Sequence, residues 1–101
     1  MRTLPIDIPL TEIDNFCRRH RIQKLSLFGS VLRDDFTPRS DVDVLVEFEV
    51  GKTPGLAIVR MEDELSAILG RTVDLRTPTD LSRYIRDRVL AGAITIYDRD
   101  R

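Results

Sequence analysis

Apolar and polar residues alternate most strictly between Asp41 and Glu49. Val42, Val44, Val46 and Phe48 hold one parity, and Asp41, Asp43, Leu45 and Glu47 hold the other. A period of two is the signature of a strand with one face in the core and one face out, so this segment predicts a strand resting on its valines. A second alternating run, Lys24 to Phe28, stops at Gly29, and Thr72 to Arg76 and Ile94 to Tyr97 read as two further short strands. Helical spacing appears elsewhere. Ile58, Met61, Leu65, Ile68 and Leu69 recur along a helix predicted over Leu56 to Leu69, with Gly70 as its stop. Leu81, Ile85 and Val89 predict a last helix, to about Ala91, with that stripe facing the core. Thr11 reads as the N-cap of a first helix ending at His20, with Glu12 and Asp14 early and Arg18, Arg19 and Arg21 late, the order a helix dipole favours. Ser30 to Asp34 suggests a short helix, "FTPRS" a loop, "TPTD" a capped turn and "GKTPG" a break. The order predicts an α/β domain: one small mixed sheet with helices packed on one face.

Composition narrows the picture without naming a function. The chain of 101 residues is expected to form a single domain over 1–101, with residues 1–9 as an N-terminal extension. Hydrophobic residues at 42% and charged residues at 33% describe a globular protein, and a net charge of -1 gives no reason to expect direct nucleic-acid binding. Only Lys24 and Lys52 among the 16 basic residues are lysines; the arginine excess suits bidentate contacts to phosphate or carboxylate, or reflects codon usage. The single cysteine, Cys17, has no intrachain disulfide partner and reads as a packing residue. His20, among three arginines, reads as a solvated helix end rather than a metal ligand. "MRTLPIDIPL" lacks the apolar core of a signal peptide and no apolar run is long enough for a membrane, so a cytoplasmic location is expected.

The chemistry lies in the polar parity of the strict strand. Aspartate is a poor strand former, yet Asp41 and Asp43 stand together on one face with α-carbons about 6.6 Å apart. Carboxylates so spaced can converge on two divalent ions held about 3.5 to 4 Å apart. In "TVDLR", Asp74 lies opposite in parity to Val73 and Leu75, so pairing that strand beside the first brings Asp74 to the same surface. Three oxygen-donor side chains suit Mg²⁺, which keeps waters and takes further ligands from substrate phosphates. Upstream, Gly29 ends a strand where backbone can approach a ligand closely, and Ser30 with the amides that follow can hold phosphate oxygens. Taken singly, an Asp-x-Asp is usually a solvated strand face and a Gly-Ser a turn. Their order and spacing together point to in-line nucleotidyl transfer.

"FGSVLRDDFTPRSDVDVLVEF" resembles the signature of the polymerase-β-like nucleotidyltransferase superfamily. The short chain, "GKTPG", "VDL" and "YIRDRVL" resemble the minimal nucleotidyltransferases, antitoxins of HEPN/MNT toxin-antitoxin pairs. The resemblance runs from about Leu10 onward and implies a polymerase-β-like core. By it, Gly29 and Ser30, with Arg33 and Ser40 of the same signature, would bind the nucleotide. Asp41 and Asp43 would hold two Mg²⁺ ions, and Asp74 would complete the metal site and help deprotonate the acceptor. It further implies ATP as substrate and a tyrosine of a partner HEPN-type ribonuclease toxin as AMP acceptor. Val44, where leucine or isoleucine is common, changes no chemistry.

Two other readings stay open: a non-catalytic antitoxin that acts by binding, and a transferase acting on an aminoglycoside-like small molecule with a second subunit supplying the pocket. The chain shows no acceptor-holding domain of the kind larger relatives carry, which favours a protein acceptor. On the last helix, Arg83, Arg86 and Arg88 around Tyr84 have the composition of an interaction surface, though a solvated face with an Arg83–Asp87 pair would look the same.

Overall fold

The computed structural model describes residues 4–52 and 54–100. Thr53 of the "GKTPG" break and the first three residues of the expected extension lie outside them. Helix α1 spans Leu10–Arg19, strand β1 Ile22–Phe28, β2 Val42–Phe48, helix α2 Ile58–Leu69, β3 Val73–Arg76, α3 Arg83–Gly92 and β4 Ile94–Asp98. The strands form one sheet in the order β3-β2-β1-β4. β1 is antiparallel to both β2 and β4, and β3 runs parallel to β2, so the sheet is mixed as the pattern predicts.

The valine parity of β2 is the core. Val42, Val44 and Val46 are buried with Leu25 and Leu27 of β1, Ile13, Phe16 and Cys17 of α1, and Met61, Leu65 and Leu69 of α2. Each helix contributes one apolar stripe at three- and four-residue spacing, and the two stripes close over one face of the sheet. Gly70 ends α2 in the left-handed conformation (φ 66°), which only glycine adopts at no steric cost. Residues 4–9 are not a free extension, since Leu4, Ile6 and Ile8 pack against this core.

The structure corrects several local expectations. Thr11 is not the N-cap of α1: the helix begins one residue earlier, and the Pro9 carbonyl accepts its first bond from Ile13. The short helix expected over Ser30 to Asp34 is a 3-10 turn, Gly29–Leu32. His20 is not simply solvated. Its ring packs tilted against Phe16 with centroids 4.7 Å apart, and its Nε2 lies 3.0 Å from Glu64, which also pairs with Arg19, tying α1 to α2. The largest correction concerns α3. It buries no residue, Ile85 is 44% exposed, and its predicted stripe does not face the core. Leu81 is buried but precedes the helix and stands outside the main cluster.

Cys17 lies fully inside, and its thiol is pushed up to about 12, first by burial and then by the charge of Asp14. A thiol that stays protonated when folded but ionises near 9.0 when unfolded makes the unfolded state the better proton donor, so stability falls as pH rises above 9. Urea melts between pH 8 and pH 10 should therefore lose stability at up to about 1.4 kcal/mol per pH unit above pH 9. A Cys17→Ala variant should lack that slope; equal slopes in both proteins would contradict the buried, protonated thiol.

Candidate active site

The mixed ladder assembles the polar face of the sheet row by row. Asp43 is flanked in register by Phe28 on β1 and by Asp74 on β3, so the two aspartates are neighbours on one surface. The next row carries Ser26, Leu45 and Arg76. Two of its three members are not open, contrary to the parity argument. Leu45 and Ser26 are 1% and 2% exposed, and the 3-10 turn Pro78–Asp80 rests against β2. The polar face is covered at Leu45 and Ser26 and accessible around the aspartates and Arg76. Asp41 sits one residue ahead of β2 and is exposed, and the neighbouring Val42 amide donates to the Thr72 carbonyl at 2.9 Å, which fixes where the strand begins.

Because β1 and β2 are antiparallel, the end of β1 delivers Gly29 to the start of β2. Gly29 has a φ of 76°, and a Cβ placed on it would stand 2.1 Å from Oδ2 of Asp43 and 3.2 Å from its Cβ. The glycine is required twice, by its backbone and by the carboxylate lying against it. Ser30 follows, half-buried. With only four residues in the turn, any phosphate here would be held by single amides and the Ser30 hydroxyl rather than by a helix dipole.

Other expected residues are placed differently. Arg33 is exposed and directs Nε to Asp35 at 3.2 Å, although its charge still reaches Asp43. The Ser40 hydroxyl is taken by its own loop: it accepts the Thr37 amide at 3.0 Å and lies 3.1 Å from the Thr37 hydroxyl, ordering the turn that leads into Asp41. Asp74 is held by a residue the sequence reading passed over. Arg76 donates Nε to Oδ1 at 3.0 Å and Nη2 to Oδ2 at 3.2 Å, a bidentate pair. The signal was present, since residues two apart on a strand share a face. Two residues of α2, also unread, grip the outer edge of β3 on either side of Asp74. Ser66 accepts the Val73 amide at 3.0 Å and Glu62 accepts the Leu75 amide at 2.9 Å.

Electrostatics mark Asp43 as the strained member. Burial raises its carboxyl above the ordinary value, the charges of Asp74 and Asp41 raise it further, and Arg76 and Arg33 partly offset this. Among the described residues no three His, Cys, Asp or Glu side chains converge as a closed metal site. Backbone register brings Asp43 and Asp74 together, but the Asp74 side chain is turned to Arg76. The donors are nonetheless all oxygen, and Mg²⁺ needs only one or two carboxylates when substrate phosphates supply the rest. Asp41 and Asp43 beside the Gly29 backbone fit that demand. A separate cavity of about 570 Å³ between α1 and β4 holds none of these residues, and within it Arg18 pairs with Asp14 and Arg99 with Glu49.

A mixed sheet with two aspartates in adjacent register and a glycine turn against one of them has the architecture of enzymes that transfer nucleotidyl groups. The nucleotidyltransferase domain model matches residues 11–96, and the chain belongs to that family. It is 31% identical over 98 residues to the protein adenylyltransferase MntA of Thermococcus cleftensis, covering 88% of this chain and 97% of that one. A solved structure described as a candidate minimal nucleotidyltransferase superposes with a TM-score of 0.69 at 35% identity, covering 84% of this chain and 86% of that one. A chain from the complex of tri-AMPylated Shewanella oneidensis HEPN toxin with MNT antitoxin shares the fold (TM-score 0.63, 20% identity, 90% and 71% covered).

Two substitutions test this geometry. Gly29→Ala should cost about 1 to 2 kcal/mol from the left-handed backbone alone and should displace the Asp43 carboxylate besides; an unchanged melting temperature would contradict the placement. Asp43→Asn removes a charge that the fold disfavours, so it should raise the melting temperature at pH 7. The gain should shrink as pH falls, because native Asp43 takes up its proton above the ordinary value of 3.8, and it should be gone below that value. A lower melting temperature for this variant would mean that Asp43 is held favourably.

Proposed function

We propose that this chain is a Mg²⁺-dependent protein adenylyltransferase of the antitoxin type, which transfers AMP from ATP to a tyrosine of a HEPN-type ribonuclease toxin and silences it. The observation that carries the reading is the Gly29 turn lying against Asp43, with Asp74 in the adjacent register. The MntA relative's name and the AMPylated toxin of the matched complex support the acceptor class. On this reading the enzyme is a single domain working in the cytoplasm. No described helix is long and apolar enough to cross a membrane.

In the proposed reaction the tyrosine oxygen attacks the α-phosphorus of ATP. The bond from that phosphorus to the bridging oxygen breaks, and pyrophosphate leaves with the electron pair. The Asp74 carboxylate takes up the tyrosine proton. Gly29 lets backbone amides approach the triphosphate, and the Ser30 hydroxyl donates to it. Arg33 adds positive charge nearby, while Ser40 acts through its turn by holding Asp41 in place. Two Mg²⁺ ions held by Asp41 and Asp43, with Asp74 completing the set, would supply the charge that activates the acceptor oxygen and stabilises the leaving group.

The docking surface in this proposal is α3, where Arg83 and Tyr84 are exposed. Arg86 is not available for it, because it donates to the carbonyls of Pro78 at 2.7 Å and Leu81 at 3.0 Å and anchors the helix. The non-catalytic antitoxin is the second reading. The engagement of both Asp74 oxygens by Arg76 favours it.

Incubation with the HEPN-type partner, ATP and Mg²⁺ should raise the partner's intact mass by one or more AMP units. Asp41→Asn and Asp43→Asn should each lower the rate by about a hundredfold or more, as expected when charge stabilisation at the reacting centre is lost. Ser30→Ala should weaken nucleotide binding by about 1 to 3 kcal/mol. Arg83→Glu with Tyr84→Ala should weaken partner capture and spare nucleotide binding. A neutralised partner of unchanged mass would establish the binding-only antitoxin instead.

A further inference from the structure

Asp74 has a resident counter-ion. Arg76 lies two residues along the same strand face, and its planar guanidinium meets both carboxylate oxygens, at 3.0 and 3.2 Å. The two side chains are 47% and 36% exposed. The backbone beneath them is fixed. β3 pairs with β2 on one side, and on the other the Val73 and Leu75 amides are held by Ser66 and Glu62 of α2. Ser66 is itself anchored, donating to the Glu62 carbonyl at 2.8 Å. The strand is therefore a rigid support, and the movable part is the arginine side chain. In the row beside it, Asp43 stands among the charges of Asp74 and Asp41. Two or three carboxylates facing one another without a cation repel, and a guanidinium is the only positive group bonded to any of them among the described residues.

We propose that Arg76 is a built-in cation that occupies Asp74 when no divalent ion is present, so that metal loading is a displacement. This rests on the reading of Asp74 as a metal ligand. Both oxygens of Asp74 accept from Arg76, so a divalent ion reaches that carboxylate only when the guanidinium swings away. The cost is small because the pair is solvent-exposed and such pairs are weak. The displacement lowers the site's affinity for the free ion by a few-fold at most. Loading then favours an ion that brings its own negative ligands, such as a metal–triphosphate complex, whose oxygens can also receive the released guanidinium. Arg76 is thus a positioning residue, which holds the Asp74 carboxylate in register in the empty site and is exchanged on loading.

The test measures affinity for Mn²⁺ alone, by electron paramagnetic resonance of the free ion, on four full-length proteins: native, Arg76→Ala, Asp74→Asn and the double variant. Removing the competitor should tighten Mn²⁺ binding roughly threefold to fivefold in the native background, the upper end for an exposed ion pair and the value expected of a bidentate one. The same substitution should change affinity less than about twofold when Asp74 is already asparagine, since distant effects add and direct ones do not. An equal gain in both backgrounds would reduce Arg76 to a general field effect and overturn the proposal. Unchanged or weaker binding in Arg76→Ala would overturn it too, the weaker result meaning that the arginine only supports the strand. If Asp74→Asn alone leaves Mn²⁺ affinity unaltered, Asp74 is not a ligand, and both this inference and the metal role assigned to Asp74 above fall. If Asp74→Asn weakens Mn²⁺ while Arg76→Ala does nothing, only this inference falls.

Discussion

The structure depends on one strand being paired on both sides. β2 is hydrogen-bonded to β1 and β3, so it cannot rotate about its own axis, and burial of Val42, Val44 and Val46 settles which way it faces. Side chains of opposite parity must then stand on the other surface. Asp43 is placed there by the cost of exposing valines, not by any attraction of its own. A slip of one residue in either ladder would bury the aspartate and expose the core, so register and chemistry are protected by the same energy. Gly29 and Asp74 arrive at Asp43 as consequences, one through the antiparallel neighbour and one through the parallel neighbour.

Against that apolar constraint stands a local electrostatic cost. Asp43 is disfavoured in its charged form by partial burial and by two like charges, and the fold answers with arginines rather than by spreading the carboxylates apart. Arg76 takes Asp74 outright, while Arg33 acts on Asp43 from a distance. The backbone under this strain is reinforced from behind, where α2 supplies hydrogen-bond acceptors to the edge of β3. Those acceptors also occupy edge amides that would otherwise invite another strand. A rigid sheet carrying a mismatched charge set marks a candidate binding site.

Helix α3 shows where periodicity stops being informative. Leu81, Ile85 and Val89 have helical spacing, yet only Leu81 is buried. A stripe reports that a helix could pack and says nothing of which surface is free to receive it. Here α1 and α2 already cover the valine face, and the turn Pro78–Asp80 rests against β2. The same coverage explains why Leu45 is buried despite sharing parity with the aspartates. Parity assigns a side of the sheet, whereas burial depends on what else crosses that side.

The sequence by itself determined the order of elements, the mixed α/β class, the valine core, the shared parity of Asp41 and Asp43, and Gly29 and Ser30 at the end of β1. Each of these follows from backbone periods or from neighbours in the chain. It also carried the Asp74–Arg76 relation, legible in the spacing of two though not read from it. Tertiary structure alone decided that the Asp43 carboxylate lies against Gly29, that Ser66 and Glu62 grip β3 and that α3 stays outside the core. It also decided that the hydroxyl of Ser40 serves its own turn. Those outcomes depend on which groups meet across the fold and on competition for hydrogen-bond partners and for space. Such competition is resolved only when the strands and helices are packed, because short-range spacing does not encode distances between segments far apart in the chain.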